Sequence, residues 1–200
     1  MPDHSTLVLR AAPEALGGLA PLAREGFGVA ARPGRPLRET LTQDFGLCPD
    51  CVEERIQTVF LDGSPVDDID QDSARPGCTL ALAAAMPGVA GIAMRRGSPV
   101  GVFREGVTHH ADAAGAAGAE QTRPFALTLK LFNSVAVECL ANVLEKGVEV
   151  RAARLAELME SNSEALKDVS FALDGQPLDR DGVLRALRAM AGALRLEALL

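Results

Sequence analysis

The sequence predicts an α+β protein made of two related halves. Three observations carry this expectation. Segments of alternating apolar period follow segments of helical period along the chain. A turn reading "LDGSPVDD" at Leu61–Asp68 returns as "LDGQPLDR" at Leu173–Arg180. Between the two, residues 105–123 are small and polar and have no apolar period.

In the first half, "TLVLRA" from Thr6 alternates as a strand does, and Pro13 opens a short, glycine-interrupted helix with Leu16, Leu19, Ala20 and Ala23 on one face. Gly26 stops it, and "FGVAA" is a second strand. "RPGRP" breaks the chain before a helix carrying Leu37, Leu41 and Phe45, and "PDCVEERI" adds a helical turn with Cys51, Val52 and Ile56 inward. Thr58–Leu61 is a strand, Asp62-Gly63 reverses it, and "PVDD" returns as a short edge strand that Pro65 can only begin. A further strand runs from Cys78 to about Ala84, and "IAMRRG" with "VGVFR" reads as a hairpin around Gly97-Ser98.

The pattern restarts after Pro124. "FALTLKLF" is a strand, and "NSVAVECLANVLEKG" is a helix capped by Asn133 and ended by Gly147. A short strand "VEV", a helix "RAARLAELMES" and the strand and turn "VSFALDGQPLD" follow. The last segment, "DGVLRALRAMAGALRLEALL", reads as one helix with Val183, Leu187, Met190 and Leu194 on a face that packs on the fold or meets a second copy. When the halves are aligned, Ala15–Val29 falls on Ala136–Val150 with Gly26 on Gly147, and Asp62 falls on Asp174. We therefore expect a first domain at 1–104, a Gly/Ala-rich linker at 105–123, and a diverged second copy at 124–200 ending in a helix.

Written out in order, strand, helix, strand, helix, strand, "LDGSPVDD" and "RPGCTLALAAAMPGVAG" resemble the β-grasp (ubiquitin-like) sulfur carriers, such as the small subunit of molybdopterin synthase and the thiamine sulfur carrier. The likeness covers roughly Thr6 to Gly91. It implies a β-grasp first half, a similar second half, and a tail that approaches a protein partner. Those carriers act through a free C-terminal Gly-Gly, whereas here "PGVAGIAMRR" stands at the matching place, so carrier activity requires a cut after Gly91. "AAMPG" followed by "MRRG" also resembles a bacterial family with no assigned activity.

Composition narrows the function. A net charge of −7, no Trp or Tyr and seven Phe leave neither a basic stripe nor stacking platforms for nucleic acid. No apolar run approaches a membrane span, no secretion signal opens the chain, and four cysteines are too few for a disulfide framework at this size. A cytoplasmic protein with reduced thiols is expected.

Three patterns could carry chemistry. Asp68, Asp70 and Asp72 begin like a calcium loop, but the sixth and twelfth positions are Ser73 and Thr79, so turn chemistry is expected. Cys48-Pro-Asp-Cys51 reads as two ordinary cysteines, as half of a metal site with Cys78, Cys139, His109 or His110, or as a redox dithiol. Arg95 and Arg96 form a charged hairpin or grip an anion or acidic partner. The function expected is a non-enzymatic protein-binding module without a cofactor, presenting Met86, Pro87, Gly88, Gly91, Arg95 and Arg96 to a protein partner, a second copy of the chain being one candidate. The alternatives are a sulfur-carrier-derived or thiol-redox protein and a small metal-binding protein.

Overall fold

Ten strands join in one sheet in this computed structural model, which describes residues 5–99 and 123–200. The strand "VGVFR", the expected linker up to Thr122, and His109 and His110 lie outside the described residues. The first half supplies β1 (Thr6–Arg10), β2 (Phe27–Ala31), β3 (Thr58–Leu61), β4 (Ser64–Pro65) and β5 (Thr79–Ala83). The second supplies β6 (Phe125–Leu131), β7 (Val148–Arg151), β8 (Ser170–Leu173), β9 (Gln176–Leu178) and β10 (Ala193–Leu199). Their order is β4-β3-β5-β6-β2-β7-β10-β1-β8-β9. Strands from either side of residues 105–123 therefore interleave, with β6 between β5 and β2 and β1 between β10 and β8.

The alternation of the strands explains the layers. Leu61, Leu80, Leu129 and Phe27 stand side by side on four adjacent strands, and Val148, Leu196 and Leu7 continue the apolar face on three more. Helices cover this face: α1 (Ala20–Glu25) lies on β6, α5 (Leu140–Lys146) on β10, α6 (Ala152–Ser161) on β7, and α7 (Arg180–Ala189) on β8 and α6. The expected helix at Leu37 is α2 (Leu37–Glu39), which widens into a π-helical turn at Thr40–Asp44. Leu37, Leu41 and Phe45 are all buried, as their spacing required.

The sheet is nearly cut in its middle. β2 and β7 pair at one position, Gly28 with Glu149, which are also the residues that the sequence alignment of the halves superposes. A side chain at Gly28 would press on the Glu149 Cβ at 3.0 Å, so the crossing needs a glycine there. The hairpins β3–β4 and β8–β9 sit at the two far edges.

Both hairpins use their aspartate in the same way. Asp62 and Asp174 adopt φ of 51° and 49°, followed by Gly63 and Gly175 at 85° and 78°. The Asp62 N–H donates to the Thr79 carbonyl at 2.8 Å, while the Thr79 N–H donates to Asp62 Oδ1 at 2.8 Å. Asp174 makes the same reciprocal pair with Thr6, at 2.9 and 2.7 Å. Each carboxylate thus ties a turn to the first residue of the neighbouring strand. Asp62→Ala and Asp174→Ala should each cost about 1–2 kcal/mol, from the lost charge-assisted hydrogen bond to the strand and a Cβ-bearing residue at positive φ with no side-chain compensation, the exposed Asp62–Arg75 pair adding little. Asp→Asn should recover most of that loss in urea denaturation, and unequal losses at the two sites would refute their equivalence.

Three sequence expectations are corrected. Residues 193–199 are strand β10 rather than the end of a helix: α7 stops at Ala189, Gly192 takes φ 103°, and Leu194, Leu196 and Ala198 then alternate into the core. The second half therefore ends in a strand. Val183, Leu184 and Leu187 of α7 are buried within the chain and offer no helical face to a second copy. Asn133 does not cap its helix; it sits at φ 45°, its Oδ1 accepts from the Ala84 N–H at 2.9 Å, and the helix breaks at Cys139 between α4 (Val135–Glu138) and α5. Finally, the expected hairpin strand "IAMRRG" is replaced over Ile92–Met94 by the end of a helix, α3 (Gly88–Met94). Among the described residues no helix is long and apolar enough to cross a membrane.

Candidate functional site

The two residue sets singled out in the sequence, Cys48/Cys51 and Met86–Arg96, meet in the structure. Their common ground is the turn Cys51–Arg55, a single π-helical turn closed by Ile56 N–H donating to the Cys51 carbonyl at 3.0 Å. Val52 and Ile56 are fully buried and seat the turn on the core, while the Val52 N–H donates to the Cys48 carbonyl at 3.1 Å. Cys48 and Cys51 are joined by a disulfide, with their Cα atoms 5.2 Å apart. The expectation of reduced thiols is thus corrected at this pair, because the turn brings the two side chains together. The Cys51 N–H also points at Cys48 Sγ, 3.1 Å away. Cys48 is exposed and Cys51 half-buried.

The other two cysteines are free and buried. Burial and the adjacent Glu138 carboxylate push the Cys139 thiol up to about 11, and burial raises Cys78 as well. Both are therefore unreactive thiols at neutral pH. Among the described residues no three His, Cys, Asp or Glu side chains gather as a metal site, and a disulfide has no thiolate to offer a cation.

α3 is moored to this turn through Arg96. Arg96 Nη2 donates to the carbonyls of Val52 and Ile56, both at 2.7 Å, and its N–H donates to the Gln57 carbonyl at 2.9 Å. Burial, and the Arg38 guanidinium nearby, lower its pKa, and since a guanidinium keeps its proton in proteins it is a cation on two carbonyl dipoles. Arg96 therefore faces inward and does not present its charge to a partner, in contrast to the expected anion grip. Arg96 Nε and Gln57 Oε1 are covered and make no hydrogen bond among the described residues, which leaves the mooring incompletely satisfied. Arg38 braces the turn from the other side, bonding Asp70 through two nitrogens and pairing with Glu53. Asp68 accepts from the Asp70 N–H at 2.9 Å and from Gln71 at 2.7 Å. The acidic run is therefore engaged in holding loops, as its failed calcium spacing implied.

Pro87 precedes α3, and Gly88 turns the chain into it at φ 82°. Gly91 is buried against the Met86 carbonyl, which a Cβ at that position would overlap. Opposite, Val89 and Ile92 stand 83% and 54% exposed, three residues apart and so on one helical face. Arg95 is exposed beside them. Sequence reading missed this pair because it began a hairpin at Ile92 and left Val89 in the segment before it, so the two were never placed on one helix. The glycines on both sides of "VAGIAM" and the Arg-Arg-Gly after it were the available signal.

Two clefts flank the β2–β7 crossing, of about 290 and 230 Å³. An arginine in each is engaged with protein: Arg195 bonds Glu197 and the Lys146 carbonyl, and Arg154 bonds Glu25 and Glu157. The moored helix is the stronger site. Compared with known proteins, the chain matches no family model, no curated protein and no solved structure.

Proposed function

We propose that this chain is a non-enzymatic protein-binding module, working in the cytoplasm, that receives its partner on α3. The observation that carries this reading is the exposure of Val89 and Ile92 together on one face of a short helix held to the body by Arg96. Among the described residues nothing buries these two large apolar side chains, and a partner that covers them gains from their burial.

A β-grasp ancestry is part of the proposal. The sets β4-β3-β5-β6-β2 and β9-β8-β1-β10-β7 carry the same pairing directions in the same order: antiparallel, antiparallel, parallel, antiparallel. The crossing at Gly28–Glu149 and the matched aspartates support two related halves, with β6 of the second half built into the first set and β1 of the first half into the second. Val89 and Ile92 then lie in the segment that, by resemblance, approaches a partner.

The test is a photoreactive residue placed at position 92 in native cells, followed by identification of the adducts. One dominant protein adduct, reduced at least tenfold by Val89→Asp and absent when the probe sits at exposed Val137, is the expected result. Diffuse labelling that Val89→Asp does not change would end the proposal.

A further inference from the structure

We propose that Cys48 and Cys51 form a reversible thiol–disulfide exchange pair, in which Cys48 reacts with dithiols or disulfides from solution and Cys51 resolves the mixed disulfide. The inference does not rest on the docking role of α3.

The asymmetry of the pair assigns the roles. Cys48 is exposed, whereas Cys51 packs on the core at half burial, so an incoming sulfur reaches Cys48 first. The Cys51 N–H already points at Cys48 Sγ from 3.1 Å, and it is a donor that a thiolate there would use without rearrangement. The Val52 N–H to Cys48 carbonyl bond holds the backbone between the two cysteines whether or not the sulfurs are joined. Cys78 and Cys139 are buried free thiols, so electrons for this bond come from outside the chain.

A purely structural bond is the competing account. A separation of three residues encloses one of the shortest possible loops, and the shortest loops gain least from cross-linking in the chain-entropy model. The turn also has its own fastening in two buried side chains and two backbone hydrogen bonds.

The exchange balances as follows. One thiolate of a dithiol attacks Cys48 Sγ, the Cys48–Cys51 bond breaks, and its electron pair leaves on Cys51 Sγ, which takes up a proton. The second thiolate of the dithiol attacks its own first sulfur and releases Cys48 as a thiolate under the Cys51 N–H. The protein disulfide is reduced by two electrons, and the dithiol becomes a disulfide. In the opposite direction Cys48 attacks an external disulfide, and Cys51 then displaces the second external thiol.

The whole chain should be equilibrated in graded mixtures of reduced and oxidised glutathione and then trapped by alkylation and intact-mass measurement. The expected result is a reversible two-proton change confined to Cys48 and Cys51. In the reduced protein Cys48 should alkylate at least about tenfold faster than Cys51, Cys78 and Cys139 at pH 7. With oxidised glutathione, Cys51→Ser should trap a glutathione adduct on Cys48, and Cys48→Ser should leave at most a slow adduct on Cys51. A bond that fails to re-form in the unmodified chain, or a Cys51 that alkylates faster than Cys48, overturns the proposal and needs no variant to fold.

Discussion

Leu196→Pro should yield no folded protein. β10 lies inside the sheet between β7 and β1, with Leu196 fully buried beside Val148 and Leu7. Proline there removes a ladder donor and sets its ring against a neighbouring strand, which is why proline is confined to edge strands and bulges. Loss of the leucine side chain adds about 2–5 kcal/mol. That second cost alone is a large part of the roughly 5–15 kcal/mol by which a domain of ordinary stability is folded, and the broken ladder between two paired strands comes on top of it. Leu196→Ala should pay only the second cost and remain folded, with a lower urea midpoint. Circular dichroism and amide dispersion in two-dimensional NMR distinguish the outcomes, and a folded Leu196→Pro chain would disprove the central position of β10.

That strand is also where sequence reading failed. Val183, Leu187, Met190 and Leu194 keep a helical period across Gly192, and the leucines, arginines and alanines around them all favour helix. The alternation of Leu194, Leu196 and Ala198 was present in the same letters, but nothing local ranks it above the helical period. A partner strand at the far end of the chain decides it, and β-structure is set by such neighbours more than by intrinsic preference. The Asp-Gly turns were legible for the opposite reason, since their conformation is dictated within four residues. Of the candidate site, the residues were legible and their meeting was not. Arg96 was visible as a charge, but its inward turn depends on two carbonyls some forty residues earlier.

Arg96→Met should loosen α3 while leaving the sheet intact. The substitution keeps most of the side-chain bulk but strips the donors from the Val52 and Ile56 carbonyls. A hydrogen bond from a charged donor contributes about 1.5–3 kcal/mol, and orphaned buried carbonyls add to the loss. A local cost of about 2–3 kcal/mol corresponds to amide exchange roughly 30- to 150-fold faster over residues 88–96, with little change at β6 or β10. Arg96→Lys should recover part of the protection, because an ammonium can reach one carbonyl but cannot fork between two. Unchanged exchange in Arg96→Met would show that α3 is held by something other than this side chain.

The position of β1 has a consequence in time. Its five residues pair with Ala193–Leu199 on one side and Ser170–Leu173 on the other. β2 pairs only with β6 and β7, which come from beyond Pro124. During synthesis at about 5–20 residues per second, β1 therefore waits roughly 10–40 s for its parallel partner, with Leu7 and Leu9 uncovered. Once β6 and β7 have been made, β4, β3, β5, β6 and β2 have all their neighbours, whereas β7 and β1 still lack β10 between them. The interleaving that makes one sheet of two halves thus delays closure until β10 has been made, and chains released before that would carry unpaired strand edges that invite chaperones or aggregation.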